Sequence, residues 1–317
     1  MRSSYNVARV ERLNDPMNTN VPRCKPRVSV IIPTKNRPED LERTISTLLL
    51  QTHMADELII VDQSRMRSVL KTDPLPLKYI YNPGITGASH ARNEGMKQAT
   101  GDIWLFLDDD VLLEPNFIEK LLAAYSPGIT GVSGIITNYS APPIVRRLWE
   151  SAFEVGPFRD DRQTVYRNVE TLRNAEPTRV RHFGAGLMSF RAGEIRGLWF
   201  DENLQGTSFG EDIDFCAHLP RGSVLLITPQ ARLVHKRSPE GRNSAHWLDL
   251  HAQGTNYMRQ RHWRSGIRNN LCFAWLNVGY ALSAALSSAR RMSLEPWRAW
   301  KRGAKRGRSL ARGIQSS

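Results

Sequence analysis

The sequence predicts an α/β fold in which helices flank a mostly parallel central sheet. Short β-branched apolar runs alternate with amphipathic helical patterns from residue 27 onwards, and this alternation favours right-handed crossovers between parallel strands. Polar or acidic residues follow directly after several of these runs. The chain has 317 residues, which is enough for one large α/β domain with an appendage or for two smaller domains.

The first half of the chain contains four predicted strands and two predicted helices. The strands are the runs Arg27–Ile32, Glu57–Val61, Leu77–Tyr81 and Asp102–Leu107. The helices are Pro38–Gln51 and Thr86–Ala99. Pro38 suits a first helical turn, and the spacing of Leu41, Ile45 and Leu48 gives the first helix an apolar stripe.

The second half has a looser pattern. Further strands are expected at Thr130–Thr137 and Phe183–Phe190, and glycines in the latter permit a close approach of the backbone to a ligand. A short helix is expected at Asp212–Leu219, followed by two apolar segments, Val224–Thr228 and Ala231–Val234. We therefore expect a flexible lead at 1–26, an α/β domain at 27–240 and a helical, basic extension at 241–317.

The positive charge is concentrated near the C-terminal end. The chain has 44 Lys and Arg against 31 Asp and Glu, a net charge of +13, and residues 290–312 hold nine of the basic residues and one acid. Nucleic-acid binders usually carry basic stripes within their fold, so nucleic acid is not the expected partner. Trp297 and Trp300 among these bases are typical of an anchor for an anionic membrane surface; a solvated, mostly disordered tail is the alternative. The apolar stretch 271–285 is too short and interrupted for a membrane span, which favours an interfacial or re-entrant helix.

Cysteine usage and the N-terminal residues indicate a compartment. The three cysteines are widely spaced and form no Cys/His cluster, which argues against a disulfide scaffold and a structural zinc site. Residues 1–21 are polar and contain no apolar core of a signal peptide. A reducing cytoplasm is the expected setting.

The triplet Asp108–Asp110 follows the fourth predicted strand directly. Three carboxylates at one strand end repel one another unless a cation lies between them, and their oxygens suit Mn²⁺ or Mg²⁺. The alternative is an acidic loop that caps a helix beginning near Pro115. Because the carboxyl ends of parallel strands meet at one edge of a sheet, Thr34–Arg37 and Asp62 should lie near the triplet. This convergence favours a ligand site.

Other polar residues could bind a nucleotide or move a proton. Asp62 could accept a hydrogen bond from a nucleoside or form an ordinary turn, and Arg92 could pair with a diphosphate or face solvent. Glu211 and Asp212 could supply a general base or simply begin a helix. His235 could be a third metal ligand or a structural histidine.

In this order, the motifs resemble the family 2 glycosyltransferases with the GT-A fold. The resemblance rests on Val28–Arg37, Val61–Asp62, Ala91–Gly95, Phe106–Asp110 with Pro115, Gly210–Phe215 and His235. It covers roughly residues 27–240 and is most specific in the N-terminal half. Gln63 and Ser64 depart from the pattern, since many members have a second acid and a glycine there.

The resemblance implies an inverting, metal-dependent transfer of a sugar from a nucleotide-diphosphate sugar to an acceptor hydroxyl. It implies that Asp212 is the general base, that Glu211 supports the acceptor, and that Asp108, Asp110 and His235 bind Mn²⁺ or Mg²⁺. The residues implied to contact the donor are Pro33, Thr34, Asn36, Arg37, Asp62, Arg92, Asn93, Asp108 and Asp109. The implied donor is of the UDP, GDP or dTDP type, and the implied acceptor is a glycan or glycolipid in cell-surface polysaccharide or glycolipid synthesis. We expect the protein to be cytoplasmic and peripheral on the inner face of the cell membrane.

The same residues bear on three alternative functions. A sugar nucleotidyltransferase would carry a Gly- and Arg-rich phosphate loop after its first strand, and Pro33–Arg37 has no glycine. A non-enzymatic nucleic-acid binder would explain the net charge but leaves the acids at the strand ends unexplained. A catalytically inactive protein that binds nucleotide sugars remains open.

Overall fold

The computed structural model describes residues 25–139, 143–162, 165, 175–184, 186–204, 210–236, 244–263 and 266–313. Most of the predicted lead at 1–26 therefore lies outside the described residues, as do parts of the region between 138 and 210. The described chain forms one nine-stranded sheet with helices on its faces.

Six of the nine strands run in the same direction. The strands are β1 (Val28–Thr34), β2 (Glu57–Asp62), β3 (Leu77–Tyr81), β4 (Ile103–Leu107), β5 (Val111–Leu113), β6 (Gly131–Ile136), β7 (Thr178–Val180), β8 (Leu187–Arg191) and β9 (Leu225–His235). Their order is β3-β2-β1-β4-β8-β6-β9-β5, and β7 pairs with β9. Only β5, β7 and β8 run opposite to the others. The predicted α/β fold with a mostly parallel sheet is confirmed.

The helices follow the strands in the predicted alternation in the first half of the chain. They are α1 (Pro38–Leu49), α2 (Ala88–Gln98), α3 (Phe117–Ala123), α4 (Ile144–Phe153), α5 (Ala192–Ile195), α6 (Glu211–Ala217), α7 (Ser244–Arg261), α8 (Ile267–Arg291) and α9 (Glu295–Gly313). The last three lie within residues 241–317, where a helical extension was predicted.

The central strands are buried on both faces, which explains their continuous apolar sequences. All residues of β1 are buried. Val30 and Ile32 belong to one apolar cluster with Leu41 of α1, whereas Ile31 packs in a second cluster on the opposite face. A Cβ added to Gly95 of α2 would lie 2.5 Å from Cγ2 of Ile31, so the glycine lets α2 pack closely on the sheet.

The last strand differs from the prediction. The two predicted apolar segments, Val224–Thr228 and Ala231–Val234, form a single strand that ends at His235. The neighbouring β6 accommodates this through a shift of register between Ser133 and Ile135. Gly134 lies in this shift, where an added Cβ would be 2.3 Å from the Ala231 carbonyl oxygen.

The C-terminal helix α9 is held by small residues. Ala299, Gly303, Gly307 and Ala311 recur every four positions and are buried. An added Cβ would lie 2.0 Å from the Asp249 carbonyl oxygen at Gly303, and 2.1 Å from that of Gln253 at Gly307. The backbones of α9 and α7 therefore pack in direct contact, and the basic side chains occupy the remaining surface of α9.

Candidate active site

The acidic triplet lies in the turn between β4 and β5. Asp108–Asp110 follow β4 and precede β5, and β5 pairs with β9 so that Val111 lies opposite His235. Thr34 and Asp62 are register partners at the ends of β1 and β2. The predicted convergence of polar strand ends is therefore observed.

Asp108, Asp110 and His235 form a group that could hold a metal ion. One ligand atom from each lies within 4.8 Å of the other two. Nε2 of His235 is 2.8 Å from Oδ1 of Asp110 and 3.8 Å from Oδ2 of Asp108. Oδ1 of Asp110 is buried, its short contact with His235 does not have hydrogen-bond geometry, and no other described residue donates a hydrogen bond to it. A buried carboxylate oxygen that lacks a hydrogen bond and lies beside an imidazole nitrogen fits a shared divalent cation, so these two carboxylates and the imidazole are a suitable donor set for Mn²⁺ or Mg²⁺.

Gly186 contributes the space that this group occupies. A Cβ at this position would lie 2.7 Å from Oδ2 of Asp108 and 3.4 Å from Cε1 of His235. The absence of a side chain at Gly186 therefore makes room for the Asp108 carboxylate. The glycines of Phe183–Phe190 were predicted to permit such an approach, but the sequence does not identify which one does so.

Asp109 faces the β1 end of the site. Oγ1 of Thr34 donates a hydrogen bond of 2.7 Å to one carboxylate oxygen, and Nη1 of Arg37 lies 3.3 Å from the other. Burial raises the pKa of Asp109 to about 6, against the opposing effect of Thr34 and Arg37. Asp109 thus links the first strand to the triplet.

Thr44 is a site residue that sequence reasoning missed. Its hydroxyl is within hydrogen-bonding distance of the Asp109 and Val111 carbonyls, at 2.8 Å each, and of the Val111 amide. It is fully buried on α1 and fixes the backbone of the triplet turn. A polar residue on the apolar stripe of α1 was the available signal.

Arg92 joins the two acidic parts of the site. Its guanidinium is 1% exposed and lies 3.2 Å from Oδ1 of Asp108 and 3.1 Å from Oε1 of Glu211. The Phe200 ring lies beside it, 5.6 Å from Cζ to the ring centroid. The alternative of a solvent-facing Arg92 is therefore wrong.

Glu211 and Asp212 begin α6 and differ in their surroundings. Burial, reinforced by the neighbouring Asp212 charge, raises the pKa of Glu211 to about 8, while Arg92 opposes the shift. Burial also raises the pKa of Asp212, and Arg162 opposes it from 3.6 Å. Asp212 is the more accessible carboxylate, at 9% exposed against 2% for Glu211.

The remaining predicted donor-contact residues already have partners within the chain. Asp62 accepts hydrogen bonds from Tyr79 and from the Ser64 backbone, and Ser64 in turn accepts one from the Asn36 backbone. The Asn93 side chain exchanges two hydrogen bonds of 2.9 Å with the Phe200 backbone. Pro33 lies within β1. These contacts hold the residues in position, and direct donor contact by them stays a prediction.

Two other clusters of acids and histidines are already paired with arginine. Arg162 makes a two-pronged contact with Asp160 beside His182, through hydrogen bonds of 3.0 and 2.9 Å. In the other cluster, Asp214 of α6 bonds His262 at 2.8 Å, with Nε of Arg261 4.0 Å away. This second cluster joins the C-terminal extension to α6.

Comparison with known proteins identifies the family of the chain. The family model described as glycosyl transferase family 2 matches residues 29–192, which is more than half of the chain. The succinoglycan biosynthesis protein ExoM of Rhizobium meliloti is 28% identical over 232 residues, 69% of each chain. The validoxylamine A glucosyltransferase of Streptomyces hygroscopicus subsp. jinggangensis is 34% identical over 109 residues, which are 32% of this chain and only 26% of that protein.

Solved structures share the fold. A mannosyltransferase from Pyrobaculum calidifontis, in complex with GDP-Man and Mn²⁺, aligns with a TM-score of 0.51 at 19% identity over 93% of this chain and 88% of that one. GalNAc-T7 with UDP, GalNAc and Mn²⁺ aligns with a TM-score of 0.50 at 17% identity over 75% of this chain and 50% of that one. By its sequence match and its fold, the chain belongs to glycosyl transferase family 2.

Proposed function

We propose that the protein transfers a sugar from a nucleotide-diphosphate sugar to an acceptor hydroxyl with inversion at the anomeric carbon. The supporting observation is the buried Arg92, which contacts Asp108 and Glu211 and so holds the metal-binding group next to the Glu211–Asp212 pair. A donor bound at the triplet would place its anomeric carbon near these carboxylates. Family membership supports sugar transfer as the reaction class.

Asp212 is the proposed base in this reaction. Its raised pKa gives it a stronger affinity for a proton than an exposed aspartate has, and it is more accessible than Glu211. The acceptor oxygen forms a bond to the anomeric carbon, its proton passes to Asp212, and the bond from that carbon to the diphosphate oxygen breaks. A single displacement without a covalent sugar intermediate inverts the configuration.

The positive groups of the site match the charge of the leaving diphosphate. Asp108, Asp110 and His235 would hold Mn²⁺ or Mg²⁺, which when bound supplies charge neutralisation for the diphosphate. Arg92 and Arg37 add fixed positive charge at the same end of the sheet. Two structural neighbours were solved with Mn²⁺ and with GDP-Man or UDP, which supports a donor of this class here.

The proposed acceptor is a glycan or glycolipid. The likeness to a succinoglycan biosynthesis protein over 69% of each chain supports a role in polysaccharide synthesis. We further propose that the protein works in the cytoplasm at the inner face of the membrane, with the basic residues of α9 near anionic lipid.

The variant Asp212→Asn tests the base. Removing the proton acceptor should lower the transfer rate by roughly a thousandfold or more, while the affinity for the nucleoside diphosphate stays within a few fold. Transfer is measured as release of nucleoside diphosphate from a panel of sugar nucleotides with Mn²⁺, and affinity by calorimetry. Asp40→Asn on the surface of α1 is the matched control and should retain full activity.

Transfer by Asp212→Asn at the wild-type rate would contradict the assignment of the base. Release of pyrophosphate instead of nucleoside diphosphate would support the rival nucleotidyltransferase. Tight nucleotide binding without turnover by the wild type on every donor and acceptor would support an inactive binding protein.

A further inference from the structure

Exposed apolar side chains outside the candidate active site are concentrated on two adjoining helices. On α4 they are Ile144, Val145 and Leu148, and on α8 they are Ile267, Leu271, Trp275, Val278, Leu282 and Leu286. Their exposed fractions run from 45% at Val278 to 80% at Ile267. We call this surface the α4–α8 face. Such a concentration is unusual for a surface that meets only water.

The helical spacing makes each set a continuous stripe. On α8 the exposed apolar residues recur every three or four positions from Ile267 to Leu286, which places them on one side of the helix. The other side of α8 is buried through Leu276, Tyr280 and Ala284. Apolar residues therefore lie on two sides of α8: one side packs on the protein and the other is exposed.

The two helices are in direct contact. Nε1 of Trp149 on α4 donates a hydrogen bond of 3.1 Å to the Gly279 carbonyl of α8, and Nε1 of Trp275 donates one of 2.7 Å to the Ala152 carbonyl. A Cβ added to Gly279 would lie 2.5 Å from Cγ of Phe153. The close fit fixes α4 and α8 as one rigid support for the exposed residues.

The charges around the face are positive. Segment 269–289 of α8 has no charged residue, and Arg268, Arg290 and Arg291 stand at its two ends, all exposed. The one acid of α4, Glu150, is buried and paired with Arg146 at 2.8 Å. An apolar stripe with arginine at its ends complements a surface that is apolar inside and anionic at its edge.

A membrane-spanning position of α8 and the docking of a second copy of the chain both explain the α4–α8 face less well. By length and composition α8 is the one helix, among the described residues, that could cross a membrane, with 22% of its most apolar window buried. However, α8 contacts the strongly basic α9, and crossing would carry those charges into hydrocarbon. A second copy docked on the same face would bring two positive rims together, which is unfavourable.

We infer that the α4–α8 face docks into the interface of an anionic lipid bilayer, with α8 lying parallel to the membrane plane. The apolar stripe enters the boundary between headgroups and acyl chains, and the arginines at its ends meet the anionic headgroups. This differs from an anchor made of the Trp-containing tail. Trp297 and Trp300 are only partly exposed and pack against the apolar cluster of Leu248 and Tyr280, so α9 contributes charge and not apolar insertion.

Vesicle flotation of the full chain tests the face without reference to sugar transfer. The wild type should float with phosphatidylcholine vesicles that contain about 30% phosphatidylglycerol, and less with neutral vesicles. Leu271→Asp with Leu282→Asp places two charges in the stripe and should weaken binding by roughly tenfold or more. Leu50→Asp with Val69→Asp is the matched control, since these residues are exposed at 70% and 96% but lie elsewhere.

Thermal unfolding midpoints of both double variants should match that of the wild type, because all four positions are exposed. Undiminished flotation of the Leu271→Asp, Leu282→Asp variant would overturn the inference. So would light scattering that shows a wild-type dimer which this variant converts to a monomer, with no vesicle binding by either protein. Sugar transfer to a soluble acceptor is measured separately, so a failure of the membrane inference and a failure of the proposed function are distinguishable.

Discussion

At the scale of one residue, Gly186 leaves the space in which the Asp108 carboxylate lies, so a side chain at this position should weaken metal binding. In Gly186→Ala the new Cβ would lie 2.7 Å from Oδ2 of Asp108, so the carboxylate must leave its present position. We expect the dissociation constant for Mn²⁺ to rise by roughly tenfold or more, because ligand orientation controls metal affinity. Calorimetric titration with Mn²⁺ measures this constant.

Gly193→Ala is the matched control, because a Cβ there meets nothing within 4 Å. It should bind Mn²⁺ like the wild type. Equal affinities for all three proteins would show that Asp108 takes no part in holding the ion.

Some residues of the candidate active site could be predicted from the sequence, and others could not. The triplet and its strand are adjacent in the chain, so a local pattern was enough to predict the site at Asp108–Asp110. Thr44 and Arg162 act on the site from 67 and about 50 positions away, respectively, in contacts that only the fold creates. The position of Thr44 on the apolar stripe of α1 indicates a buried threonine but not its partners, and no local pattern distinguishes Arg162 from a surface arginine.

At the scale of an element, the packing of α9 on α7 depends on two glycines. Gly303→Ala with Gly307→Ala gains about 1 kcal/mol of intrinsic helix propensity at each position. Against this, the new Cβ atoms would overlap the Asp249 and Gln253 carbonyl oxygens, and relieving each such overlap costs about 1–3 kcal/mol, or more where, as here, the opposing atoms belong to a backbone. We expect α9 to separate from α7 and its many Lys and Arg residues to become sensitive to trypsin.

Limited trypsin digestion followed by mass spectrometry measures this separation. Ser309→Ala, at an exposed position of the same helix, should be as resistant as the wild type. If the double variant resisted trypsin equally well, the close contact between the two backbones would not govern the docking of α9.

The elements themselves were predictable to different degrees. Strands β1, β2, β3 and β4 lie within two residues of their predicted bounds, since short β-branched runs that end in polar residues are a strong local signal. The two segments that join as β9 were predicted as separate, and Pro229 lies between them. Proline usually interrupts a strand, but here β9 continues through it beside the register shift of β6. The apolar stretch 271–285 was predicted as an interfacial or re-entrant helix, and it lies within a longer helix, Ile267–Arg291, whose other side packs on the protein.

At the scale of the whole molecule, we expect nucleotide binding to raise the free energy of unfolding in a metal-dependent way. A nucleoside diphosphate at a hundredfold excess over its dissociation constant should add about 2.7 kcal/mol to the free energy of unfolding. For a chain of this size that raises the unfolding midpoint by roughly 3–8 °C. A thermal-shift screen of UDP, GDP and dTDP, with and without Mn²⁺, measures the gain and identifies the cognate nucleotide.

Removal of the metal by a chelator should abolish most of the gain, and so should Asp110→Asn, whereas Asp40→Asn should keep it. A nucleotide that stabilises the protein equally in chelator would mean that the donor binds without a metal.

Arg92 contacts an acidic group at each end of the candidate active site. One guanidinium contacts a carboxylate of the triplet and a carboxylate at the start of α6, which come from positions 108 and 211 of the chain. Any ligand that draws Asp108 away leaves more of the positive charge to Glu211, and a change at Glu211 acts back on Asp108. Because binding free energies are linked reciprocally, any effect of occupancy at one end on affinity at the other acts by the same factor in the reverse direction. Binding of the donor and binding of the acceptor would thus be coupled through a single buried side chain.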